Sequence, residues 1–295
     1  MYKTKLLMLL VGALLAMPLA AQNSSDLYVI PVASHTSGQF GTQWMSDLAI
    51  QNTQSAPLTV QLIFIESGEG NPNNLFPVTT ANTPGAVTIP AGGSVLLKDV
   101  LNGYRGFNST VGSLIVGGDK PFALTSRSYS MTPAGNTIGQ TVPPAANFID
   151  NTIGVTNNQT AIAYLPGLIN NAQFRTNIGF VAGNGSSSGQ PMSVQVTIRN
   201  AAGSAVGTRV FTIPGGAFTH VQFSIGSVAP ASFDIAGAEV AITQGSGAVV
   251  PYASVIDNGN ADAVFILGQF PANAPFAGKT AISSVFRDLF IRMTQ

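Results

Sequence analysis

Hydrophobic and polar residues alternate along much of this chain with a period of two. Leu58, Val60, Leu62 and Phe64 fall on one side of an extended segment, and Thr59 and Gln61 fall on the other. The pattern returns further on: Met192, Val194, Val196 and Ile198 share a side, and Ser193, Gln195, Thr197 and Arg199 share the opposite one. Successive side chains of a strand point to opposite faces, so such alternation predicts half-buried strands of antiparallel sheets. Leu48–Asn52, Val95–Val100, Leu114–Val116 and Ala123–Tyr129 are further strand candidates, with counterparts later in the chain. Turn clusters separate them, among them Ser67-Gly68-Glu69-Gly70-Asn71-Pro72 and the stretch from Asn184 to Gly189.

The two alternating segments belong to a larger repetition. Gly41-Thr42-Gln43-Trp44-Met45-Ser46-Asp47-Leu48-Ala49-Ile50 reappears as Asn171-Ala172-Gln173-Phe174-Arg175-Thr176-Asn177-Ile178-Gly179-Phe180. Pro57 to Leu62 reappears as Pro191 to Val196, and Thr88-Ile89-Pro90 with Gly92 as Thr212-Ile213-Pro214 with Gly216. Gly139-Gln140 matches Gly268-Gln269. The order is kept, at offsets of roughly 124 to 134 residues, which indicates a tandem duplication. The first unit runs from Leu27 to Pro144 and the second from Thr160 to Ala272, with Ala145 to Gln159 as a linker. Several short strands per unit, with no helical pattern between them, predict an all-β chain of two tandem immunoglobulin-like antiparallel β-sandwich domains. The opening of each unit, Gly38 to Asp47 with its Thr42-Gln43-Trp44 core, resembles repeat domains of exported bacterial proteins of no assigned activity. That resemblance implies a secreted sandwich and points to no functional residue.

Residues 273–295 form a tail of another kind. Ile282, Val285, Phe286, Leu289, Phe290 and Met293 follow helical spacing, which predicts a short amphipathic C-terminal helix over Thr280–Met293. Its expected role is to cover an open end of the second domain; docking a partner is the alternative.

The N-terminus adds a compartment. Lys3 and Lys5, the apolar run Leu6 to Ala16, and Pro18-Leu19-Ala20-Ala21 have the three-part layout of a signal peptide, here residues 1–21. The run is shorter than the ~20 residues that span a bilayer, and the mature chain is expected to have no transmembrane segment. Charged residues make up only 8% of the sequence and the formal net charge is zero, so no basic stripe is available for nucleic acid. With no cysteine, disulfides and thiolate metal sites are excluded and the core alone must stabilise each domain.

Candidate chemistry is sparse. His35 lies in the loop Ala33-Ser34-His35-Thr36; His220 shares the expected wetter face of its strand with Gln222. Gly185-Ser186-Ser187-Ser188-Gly189 satisfies G-x-S-x-G but sits in a Gly/Ser loop without the strand-to-helix turn of a nucleophile elbow. Asp257 and Asp262 offer oxygens in a tight loop, as calcium sites do, but without the spacing of a calcium loop; an Asn/Gly hairpin turn explains them better. Glu66 and Glu69 read as a solvated pair. Trp44 aligns with Phe174 and is expected in the core, which leaves Tyr104 and Tyr129 as candidate sugar-stacking platforms. No catalytic residue and no cofactor is implied. These features predict a non-enzymatic exported cell-envelope or surface protein, bacterial, with a structural, adhesive or scaffold role. Its partner would be a surface protein or glycan, and its sheet edges could pair between molecules. A carbohydrate-binding module is the alternative; an outer-membrane β-barrel and a secreted hydrolase come after it.

Overall fold

The computed structural model describes residues 25–38, 41–68, 75–131, 135–145, 149–150, 162–184, 189–270 and 284–294. Residues 1–21, expected to form a signal peptide, Glu69 and the central Gly185–Ser188 of the G-x-S-x-G match lie outside the described residues. The first unit contains β1 (Ser25–Ser37), β2 (Gln43–Gln51), β3 (Leu58–Glu66), β4 (Leu75–Pro77), β5 (Ala86–Ile89), β6 (Ser94–Leu97), β7 (Thr110–Met131) and β8 (Thr137–Thr141). After the two-residue β9 (Ile149–Asp150), the second contains β10 (Ile162–Asn170), β11 (Phe174–Gly183), β12 (Met192–Asn200), β13 (Ala205–Ile213) and β14 (Phe218–Ser224). It continues with β15 (Phe233–Gln244), β16 (Ala248–Asp257) and β17 (Ala263–Leu267), and the helix α1 (Ser284–Thr294) follows.

Among the described residues the pairings between these strands are antiparallel, and they repeat. The first half of β7 lies between β1 and β3, and β5 extends that sheet from β3. The second half lies between β2 and β8, and β6 extends that sheet from β2. Pro121, which cannot donate to a ladder, sits where β7 passes from one sheet to the other. In the second unit β15 lies between β10 and β12 with β13 beyond, and β16 between β11 and β17 with β14 beyond. Thus β15 and β16 divide the work of β7. This order differs from the immunoglobulin arrangement, where the third and fourth strands belong to opposite sheets. Here β3 and β5, like β12 and β13, form a hairpin within one sheet.

The alternating positions fill the sandwiches. Leu58, Val60, Leu62 and Phe64 are buried in the first core, against Leu48, Ile50, Leu114 and Val116. Met192, Val194, Val196 and Ile198 are buried in the second, against Ile178, Phe180 and Phe211. Two further devices appear in both copies. The Ser46 hydroxyl accepts the Ser34 N–H (2.9 Å) where β1 bulges, and the Thr176 hydroxyl accepts the Ile169 N–H (3.1 Å) where β10 bulges. Buried Asn52 donates from Nδ2 to the carbonyls of Ala56, Ile89 and Pro90 (2.8, 3.1 and 3.0 Å). Buried Asn184 does the same to Gln190 and Ile213 (2.8 and 3.0 Å). The repeated Thr-Ile-Pro-x-Gly segment is therefore a turn clamped by an asparagine. Its glycines, Gly92 and Gly216, take the positive φ of 66° and 75° that the turn requires.

One repeated pair is corrected. Gly139-Gln140 lies within β8, whereas Gly268-Gln269 follows β17 and Gln269 bridges Tyr164 of β10. The counterpart of Gln269 is Ala145, which bridges Val29 of β1. The linker is shared as well: Ala145 pairs with the first unit, and β9 pairs with β16 of the second.

A third apolar cluster joins the two units. Leu27, Val29, Ile63, Ile65 and Ile115 meet Val181, Phe218, Ala248 and Val250, and Phe286 and Leu289 of α1 complete it. Strands buried on both faces read as continuous apolar runs, which is the meaning of Leu62-Ile63-Phe64-Ile65. The helix thus covers the seam between units rather than an open end of the second. Arg287 donates twice to the Asp26 carboxylate (2.9 and 2.8 Å), and Phe290 packs over Gly117, where a Cβ would collide with the ring. The Arg287 hydrogen bond is the main reason that the Asp26 pKa falls below its ordinary value.

Candidate functional site

The outer face of the sheet β14-β11-β16-β17 changes character along its length. At one end Val181, Phe218 and Val250 join the seam. Next to them His220 lies opposite Val181; Gly179, Gln222 and Tyr252 form the following row, and Asn177, Ser224 and Ser254 the far end. Tyr252 fits because its cross-strand neighbour is Gly179, whose missing Cβ would fall within the phenol ring. The ring stacks on Phe265 (5.4 Å between centroids) and joins the core of the first unit.

His220 is fully buried, which corrects the expectation that it lies on a wet face. Its Nε2 is 2.6 Å from the Tyr252 hydroxyl, which donates to Gln222 Oε1 (2.9 Å). With the phenolic proton committed to Gln222, Nε2–H is the donor to Tyr252, and the partnerless Nδ1 carries a lone pair. Burial lowers the His220 pKa to about 3 and pushes that of Tyr252 well up, so both are neutral near pH 7. The first unit reaches this network through its backbone. The Gly68 N–H donates to the His220 carbonyl (2.9 Å), and the Thr219 hydroxyl donates to the Gly68 carbonyl. Alternation within one unit does not reveal that the outer face around His220 meets another domain.

Where the seam ends, the two units enclose a cleft of about 520 Å³. The first unit contributes Ser34, Thr36, Trp44, Ser128 and Gln140; the second contributes Arg175, Asn177, Gln222, Tyr252 and Ser254. The Ser254 hydroxyl donates to Gln140 Oε1 across the junction (3.1 Å). Trp44 points to the same side of β2 as Leu48 and Ile50, but at the strand's polar end. It is half-buried, lines the cleft, and does not belong to the core where the sequence placed it. Gly38 closes over the indole edge, so close that a Cβ would lie 2.6 Å from Nε1.

The other candidates lie elsewhere. Tyr104 is 1% exposed, packed edge-on against Phe64, so it cannot stack on a sugar. Tyr129 is half-buried, donates to Asp47 Oδ1 (3.2 Å) and carries the Arg127 guanidinium over its ring; burial first, and then Asp47, raises its pKa to about 12. His35 Nδ1 lies 2.9 and 3.1 Å from the Asp99 carboxylate oxygens, an anchor between β1 and the turn after β6. Asp257 and Asp262 serve their hairpin turn: Asp257 Oδ1 accepts the Gly259 N–H (2.6 Å) and Asp262 Oδ1 accepts the Ala263 N–H (3.0 Å). Among the described residues, no three His, Asp or Glu side chains gather as a metal site would need. Among them too, no helix is long and apolar enough to cross a membrane.

No protein-family model matches the chain, and no curated protein does. Solved structures similar at a low level include these two. Thermotoga maritima 1070 is 15% identical, covering 42% of this chain and 96% of its own, with a TM-score of 0.30. The Pleurotus ostreatus lectin in complex with GalNAc is 8% identical, covering 89% and 90%, with a TM-score of 0.21. Likenesses at these scores carry no argument about ligand or activity.

Proposed function

We propose that this chain is an exported, non-enzymatic protein of a bacterial cell envelope or surface, an adhesive module that holds a carbohydrate in the cleft between its units. The observation that carries this reading is the cleft's composition: an indole in its wall and nine neutral Ser, Thr, Asn and Gln side chains around it. Such a wall offers hydrogen bonds to hydroxyl groups in both directions and an apolar surface for a sugar ring. Glycoside hydrolysis works with a pair of carboxyl groups about the scissile bond; the described wall instead offers hydroxyls and amides, whose chemistry is recognition. Export rests on Lys3, Lys5 and the apolar run from Leu6 to Ala16. The test is a glycan array probed with the mature chain from Gln22 onward. Binding to a defined glycan, lost in Trp44→Ala and kept in Tyr129→Ala, is the expected result. A chain that retains no glycan, or a Trp44→Ala variant that binds as well as the parent, overturns the reading.

A further inference from the structure

Among the described residues lining the cleft, Arg175 is the one charged side chain and none is a carboxylate. Its Nη1 donates to Asn258 Oδ1 (2.7 Å), a neutral acceptor. Three other cations meet carboxylates: Arg199 meets Glu239 and Arg287 meets Asp26, each at 2.8 Å, and Lys120 meets Asp119 at 2.7 Å. Arg127 meets the neutral Thr137 hydroxyl (2.7 Å), but on an exposed face where water solvates its charge. A guanidinium has five N–H donors in a planar fork that fits the two oxygens of a carboxylate. Burial disfavours the charge of Arg175, pulling its pKa below the ordinary value. A partly desolvated cation without an anionic partner, set in the wall of a concave polar site, is completed by an anion brought from outside. The counterpart of Arg175 in the first unit is Met45, so the charge is specific to the copy whose outer sheet face borders the cleft.

We infer that the ligand of the cleft is an acidic glycan, a uronate-bearing oligosaccharide whose carboxylate pairs with Arg175 while its hydroxyls meet the Ser, Asn and Gln walls. This rests on the reading of the cleft as a carbohydrate site. One cation suits a singly charged carboxylate; a phosphate of nearly two charges would leave one uncompensated.

The experiment compares each oligouronate of a panel (galacturonate, glucuronate, mannuronate and guluronate) with its methyl ester, which keeps shape and hydroxyls but loses the charge. Titration calorimetry on the mature chain should show at least one acid bound about ten- to a hundredfold more tightly than its ester. Arg175→Gln should lower the acid to the affinity of the ester, and Arg175→Lys should keep part of the preference. Equal affinity for acid and ester in the parent chain needs no variant to interpret and overturns the inference, as does an acid preference unchanged in Arg175→Gln. Binding confined to sulfated sugars overturns it too. If neutral glycans bind in a Trp44-dependent way without preference for uronates, only this inference falls. If no sugar of either kind binds, the carbohydrate reading falls with it.

Discussion

The same sheet face exists twice in this protein and meets two different environments. In the first unit, the outer face of the sheet β6-β2-β7-β8 carries Gln51, Ser94, Thr125 and Arg127, all exposed. By strand register, the matching positions of the second unit are Val181, His220, Tyr252 and Ser254, all buried. Backbone pairing is shared, so the scaffold does not set this difference; contact with the other unit does. A face turned to water tolerates any polar residue. A face turned to a second domain must supply apolar contact where it is dry and paired hydrogen bonds where it is not. The cleft is the place where that second face emerges into solvent, and its polar lining follows from the position.

The ends of the two sandwiches differ in the same way. Trp44, Ser34 and Ser128 line the cleft, whereas Phe174, Ile169 and Val255 occupy the corresponding places in a smaller cavity of about 260 Å³. One copy of the fold keeps hydroxyls and an indole where the other keeps aliphatic and phenyl groups. The indole and the hydroxyls are thus concentrated at the end of the first unit, which is the end that the second unit walls in.

The largest break in the comparison comes from Tyr252. Tyr252→Ala removes a ring packed into the first core and against Phe265, and should cost about 3–5 kcal/mol. The matching change, Thr125→Ala on the open face, should stay within about 0.5 kcal/mol. Urea midpoints of the two variants check this directly. Comparable losses would mean that the second sheet is no more buried in solution than the first.

The asparagine clamps test what the copies share. Asn52→Ala and Asn184→Ala should each lower stability by up to about 3 kcal/mol, because truncation removes the amide donor from the buried carbonyls of Ile89 and Ile213. Similar losses at the two sites in urea denaturation would support their equivalence. A neutral result at either one would show that the clamp is not needed in that copy.

Much of the fold was legible in the chain, for a definite reason. The alternation at 58–64 and 192–198 reports strand faces, and the repeated Thr-Ile-Pro-x-Gly reports a turn, both local matters decided within a few residues. The cleft was not legible. It is built from Trp44 of one unit and Arg175, Gln222 and Tyr252 of the other, and periodicity says nothing about how two sandwiches dock. The signals that did exist were Leu62-Ile63-Phe64-Ile65 and the run Val249-Val250-Pro251-Tyr252, apolar on both faces where alternation would leave one face polar. Tyr104 and Tyr129 stand out in the sequence as aromatics without an aromatic counterpart in the other copy. Lack of a counterpart measures divergence rather than exposure, and Tyr104 had diverged inside the core.

The smallest effect concerns acid, and it separates the two faces by pH. His220 is held neutral by burial, with its pKa lowered from 6.5 to about 3; its counterpart Ser94 cannot titrate. In the unfolded chain the imidazole takes up a proton as pH falls below 6.5, while the folded chain leaves it neutral until about pH 3. The unfolded state therefore binds more protons across that window. Stability is complete above pH 6.5 and declines as pH falls through it towards 3. Between pH 7 and pH 5 the loss due to this one group should be about 2 kcal/mol. Urea denaturation at the two pH values, on the parent chain and on His220→Gln, isolates it. The variant should lose the His220 share of the slope while keeping whatever the carboxylates contribute. An identical slope in both chains would mean that His220 gains a proton in the folded state and that water reaches the middle of the seam, in which case the cleft extends further between the units than its present walls.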